Sequence, residues 1–124
     1  PDMLSDLGRL LGGSGASRNT LRDALFAQPV NDDALERYFR QSQTESHRAL
    51  WGMSLFNLPD VRRVTRTPLL VLGAECDHLI APDLVEQTAQ AYGVEPHFFP
   101  GMGHGLMLEQ DWRLPAQTII DWLK

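Results

Sequence analysis

The stretch Pro68-Leu-Leu-Val-Leu-Gly-Ala-Glu-Cys-Asp77, followed one helix length later by Phe98-Phe-Pro-Gly-Met-Gly-His104-Gly, decides how this chain is read. Leu69 to Leu72 is a continuous apolar run closed by Gly73, the pattern of a parallel strand buried on both faces inside a sheet. Pro82 and Asp83 then open a helix whose expected inward face is Leu84, Val85, Thr88, Ala89 and Tyr92, with Gly93 placed to stop it. His97 to Phe99 reads as the next strand. Asp111 is expected to cap a last helix, with Pro115 tolerated in its first turn and with Leu114, Ile119, Ile120 and Leu123 facing a core. Strand, crossover helix and parallel strand together predict a right-handed unit.

Upstream of residue 60 the apolar spacing is helical. Leu21, Ala24 and Leu25 form one set, and Leu35, Tyr38 and Phe39 a second. Leu50 and Met53, with Leu55, form a third after the cap candidates Thr44 and Ser46. Met3, Leu4, Leu7, Leu10 and Leu11 predict a further short amphipathic helix, while Gly12-Gly-Ser-Gly15 and Gln28-Pro-Val-Asn-Asp32 have turn composition. The expected organisation is α/β, with a helical segment over 1–60 and a strand-helix-strand-helix segment over 61–124.

Composition narrows the function classes. The 124 residues are 43% hydrophobic, enough for one folded domain, and the net charge of −5 contains no basic block that would track nucleic acid. Cys76 stands alone, so no disulfide forms within the chain and a reducing compartment, the cytoplasm, is expected. No run approaches the roughly 18 to 20 apolar residues of a membrane span, and the first residues carry neither a basic patch nor an apolar signal core.

Connections that follow parallel strands open at one edge of the sheet, where such folds bind ligands. Asp77 and His104 both fall there. A carboxylate can accept the imidazole Nδ1 proton, set the tautomer and stabilise the imidazolium that forms when Nε2 takes a proton from a nucleophile. Gly101, Gly103 and Gly105 let the backbone bend around the histidine and leave room for a substrate.

These residues, Pro68 to Asp77 with Gly101-Met-Gly-His104, resemble the carboxy-terminal end of an α/β-hydrolase. The resemblance spans about residue 60 to residue 124, through the closing Asp121-Trp-Leu123. It implies that Asp77 is the acid and His104 the general base of a catalytic triad, and that 1–60 is the end of a helical cap or lid over the site. It also implies a Gly-x-Ser-x-Gly elbow and an oxyanion hole on strands before the cap, in the chain order Ser, Asp, His. Gly12-Gly-Ser14-Gly-Ala16 departs from that pattern. Ala stands where the second Gly belongs, and no strand precedes it, so a loop is the expected reading of Ser14.

The chain is therefore expected to be part of a longer enzyme, an incomplete α/β-hydrolase fold. Burying each of Leu69, Leu70, Val71 and Leu72 contributes about 1.5 to 3 kcal/mol, and two strands cannot cover them. A missing amino-terminal half, a second copy or a rearranged packing would have to. The expected activity of the full-length form is hydrolysis of carboxylic esters or related acyl compounds by a Ser-His-Asp mechanism. This chain alone should be nearly inert, since loss of one essential triad member costs on the order of a million-fold in turnover. No cofactor is expected.

Other residues have more ordinary readings. Asp77 could cap the turn that follows it. His78, His47 and His97 read as surface residues, and the four histidines lack metal-ligand spacing. Cys76 immediately precedes the acid and has no turn of its own, which makes it a small loop residue and not a nucleophile. Met102, Leu106 and Met107 with Trp51 and Met53 could line an apolar acyl pocket, and core packing explains the same residues equally well. Two alternatives stay open: an aspartate nucleophile, as in dehalogenases or epoxide hydrolases, and a non-catalytic module that binds a partner through exposed strand edges.

Overall fold

The computed structural model describes residues 18–42, 59–64 and 66–124. Among these residues the architecture is mixed α/β, with four α-helices and a two-stranded parallel sheet. The chain divides into two compact units, Pro1–Leu21 with Asn31–Asp60 and Arg22–Val30 with Val61–Lys124. The segment Arg22–Val30, assigned to the helical part in the sequence reading, groups with the strands. Helix α1 spans Arg18–Leu25, and α2 spans Asp32–Gln41. They carry the Leu21 and Leu35 periodicities, with Gln28-Pro-Val-Asn31 as the non-helical link. The expected helices around Met3 to Leu11 and Leu50 to Leu55 lie outside the described residues, as do Thr44, Ser46, Ser14 and His47.

Helix α2 begins where Asn31 Oδ1 accepts the Ala34 amide at 2.7 Å, and Asp32 and Asp33 place negative charge at its positive end. Its buried residues are Ala34 and Leu35. On the exposed side Glu36 accepts from Arg40 at 2.8 Å and from Arg18 at 3.0 Å, and the Arg40 hydrogen bond, foremost among these contacts, holds the Glu36 carboxyl below the usual carboxylate range.

In the strand-bearing unit β1 is Val71–Ala74 and β2 is Pro96–Phe99, paired in parallel with Gly73 beside Phe98 and Ala74 beside Phe99. The strand starts two residues later than Leu69 because the pairing register begins at Val71 opposite Pro96. Among the described residues β1 has one neighbour, and Leu69, Leu70, Val71 and Leu72 are half-buried, unlike the strand interior expected of that run. Ala74, Phe99 and Met102 form the core, with Leu72 and Leu106 packed against it.

Helix α3, Pro82–Tyr92, crosses between the strands and ends at Gly93, whose φ of 70° is the left-handed cap that glycine adopts without a Cβ penalty. Its inward residues are Val85, Ala89 and Tyr92. Leu84 and Thr88, expected on the same face, are exposed, and the Thr88 hydroxyl donates back to the Leu84 carbonyl. Helix α4, Arg113–Trp122, departs further. Leu114, Ile119, Ile120 and Leu123 are exposed, with Leu114 at 57% and Leu123 at 69%, and only Pro115 is buried. Asp111 does not cap it by its side chain: the position next to the helix is Trp112, and Asp111 Oδ2 instead accepts from the Gln28 side chain at 2.7 Å. No helix among the described residues is long and apolar enough to cross a membrane.

Candidate functional site

Because the strands run parallel, both chain segments leave the sheet at the same edge, from Ala74 and from Phe99. Backbone bonds continue the ladder beyond it, from Glu75 to Phe99 at 3.1 Å and from Cys76 to Met102 at 2.9 Å, and Gly101 donates to the Glu75 carboxylate at 3.1 Å. Two loops are thereby held side by side. They bring Asp77 and His104, 27 positions apart, into direct contact, with Asp77 Oδ2 at 2.9 Å from His104 Nδ1.

The acid is fixed by its second oxygen. Asp77 Oδ1 accepts the amides of Leu79 and Ile80, each at 2.8 Å, so the turn-capping role and the histidine contact use different atoms of one carboxylate. With both oxygens bonded, the group has little freedom to rotate away. The Asp77 side chain is 7% exposed and that of His104 32%, which leaves the acid shielded and the imidazole reachable. Asp77 selects the tautomer with hydrogen on Nδ1 and leaves Nε2 as a base. Among the described residues nothing is bonded to Nε2.

Glu109 supports the histidine loop. It is 1% exposed and, among the described residues, is bonded to backbone: Oε1 accepts from Gly103 and Ala27, both at 2.7 Å, and Oε2 from Gln28 at 3.1 Å. On the other side of His104, the Gly105 amide donates to the Leu25 carbonyl at 2.7 Å. Sequence reasoning did not single out Glu109. The available signal was an isolated acid closing the apolar run Leu106-Met-Leu108, an awkward place for a charge unless donors await it.

The remaining candidates separate. Met102 is wholly buried in the core, Leu106 packs against it, and Met107 is 71% exposed. Trp51 and Met53 lie outside the described residues. Cys76 is partly exposed and held by its backbone, and His78 is exposed. His97 is itself exposed, with its ring 4.9 Å from that of Phe99 on the same strand. Among the described residues no three His, Cys, Asp or Glu side chains gather as metal ligands do. Comparison with protein-family models and with curated proteins gives no match.

Proposed function

We propose that this chain carries the acid and base of an α/β-hydrolase that cleaves carboxylic esters or related acyl compounds. In this reading 61–124 is the end of the hydrolase core, 1–60 belongs to a helical cap, and the serine nucleophile and oxyanion hole come from polypeptide other than the described residues. The observation that carries it is the Asp77–His104 hydrogen bond at one sheet edge, with the acid buried and fixed and the base accessible. The exposed apolar face of α4 and the half-buried β1 fit a core completed by further polypeptide.

The chemistry runs as follows. The serine oxygen attacks the acyl carbon while His104 Nε2 takes its proton, and Asp77 stabilises the resulting imidazolium. Collapse of the tetrahedral intermediate breaks the bond to the alcohol, which leaves with the proton from Nε2. Water then repeats the sequence on the acyl-enzyme, with His104 first accepting and then returning a proton, and releases the acid.

A fluorophosphonate probe on the native protein tests this. Labelling of a serine that is lost in His104→Ala and strongly reduced in Asp77→Asn supports it. Undiminished labelling in His104→Ala removes the assignment. The exposed Leu114, Ile120 and Leu123 favour a second reading, a binding module that docks this face on a partner, and a native protein with no probe labelling and no ester turnover favours that module.

A further inference from the structure

A buried carboxylate is unfavourable unless hydrogen bonds replace its water, and Glu109 meets that condition with amides from two distant stretches of chain. Among the described residues no cation is paired with it, and the amide dipoles of Gly103, Ala27 and Gln28 offset its charge. Those amides have one spatial property in common: they join the residue before His104 to the segment that follows α1. Gln28 reinforces the same junction by a reciprocal pair with Asp111, its Nε2 donating to Asp111 Oδ2 at 2.7 Å and its Oε1 accepting the Asp111 amide at 3.0 Å.

Close packing accompanies these bonds. A Cβ on Gly103 would stand 2.7 Å from the Ala27 nitrogen and 3.0 Å from Glu109 Oε1, and one on Gly105 would stand 3.0 Å from the Leu25 carbonyl oxygen. The two glycines around His104 are thus seated directly on the Leu25–Gln28 backbone. His104 is held on both sides, by Glu109 through Gly103 and by Leu25 through Gly105, and its imidazole is left to be set by Asp77.

We propose that Glu109 is a positioning residue for His104: its buried carboxylate straps Ala27 and Gln28 to Gly103 and so aims the imidazole at Asp77. The inference rests on the Asp77–His104 pair as the working centre of the proposed hydrolase, and its role is orientation, with no contact to substrate. Displacement of a reacting group by about 1 Å can cost on the order of 100-fold in rate, so a strap remote from the chemistry has a catalytic consequence.

The test reads geometry, not turnover, on the full chain. Imidazole 15N shifts of His104 report the ratio of its two neutral tautomers. In Glu109→Gln one acceptor oxygen becomes an amide donor facing backbone N–H groups, and the share of the Nδ1–H form is expected to fall at least about fivefold relative to the other. The amide shifts of Ala74 and Phe99 should stay in place. An unchanged tautomer ratio in a folded Glu109→Gln chain overturns the positioning role. Hydrogen exchange on the unaltered chain gives an answer even where the variant does not fold: Gly103 and Ala27 amides should be protected at least about tenfold over the amide of Gln110, an exposed residue of the same loop. Equal exchange at those sites overturns the strap. Absence of hydrolysis would count against the enzyme reading and leave both results intact.

Discussion

Asp77 Oδ2 meets His104 Nδ1 at 2.9 Å while Asp77 Oδ1 holds the amides of Leu79 and Ile80. Asp77→Asn separates these two tasks. The Asn carbonyl keeps the turn, and its NH₂ faces Nδ1, which forces hydrogen onto Nε2 and abolishes the base. On the proposed hydrolase reading, ester turnover should fall by about 10⁴-fold. Thermal unfolding should change little, and steady-state kinetics with a melting curve check both halves.

Gly73 and Gly93 differ in why they are glycine. A Cβ on Gly73 would lie 2.6 Å from Phe98 Cδ1 and 3.2 Å from Val85 Cγ1, so Gly73→Ala overpacks the contact between β1, β2 and α3. It should cost about 1 to 3 kcal/mol. Gly93 has open space around it and a φ of 70°, so Gly93→Ala meets only backbone strain, about 1 to 2 kcal/mol. Urea unfolding measures both. A Phe98→Leu background should relieve the first penalty and leave the second unchanged.

Burial separates Met102 of the histidine loop from Leu123 at the end of α4. Met102 is 0% exposed, and Met102→Ala should cost about 2 to 5 kcal/mol. Leu123→Ser, at an exposed position, should stay within about 0.5 kcal/mol. Chemical denaturation of the two variants reads this contrast.

Glu36 carries a pH dependence of defined sign. Its hydrogen bond to Arg40 lowers its folded-state value, so its stabilising contribution is fully present above the unfolded carboxylate value of about 4.3 and is lost as pH falls through the lower folded value. Glu36→Gln should therefore be less stable than the parent chain at neutral pH, with the gap closing under acid. Added salt should shrink it, because the pair is exposed. Unfolding curves from neutral to acid pH at two ionic strengths check this.

The β-α-β portion was legible because its signals are local. The presence of β1 follows from the apolar run, though its pairing extends past Gly73 to Ala74; α3 follows from Pro82 and Gly93, and the strand-end positions of Asp77 and His104 from one helix length of spacing. The pairing of Asp77 with His104 adds only the rule that parallel strands leave a sheet at one edge. Glu109 was not legible as a support, since its partners Ala27 and Gln28 are 82 and 81 positions away.

Among the described residues the amino-acid sequence by itself indicated the order of helices and strands and which residue types reach the sheet edge, because periodicity, caps and turns act over a few residues. Tertiary structure alone decided that Asp111 serves Gln28 in place of a helix cap, that Leu114, Ile120 and Leu123 face outward, and that Glu109 is buried under the histidine loop. A helical repeat says which side chains share a face but not what lies opposite. That depends on which distant stretch of chain closes over it, and only the folded backbone supplies the donors that make a buried carboxylate tolerable.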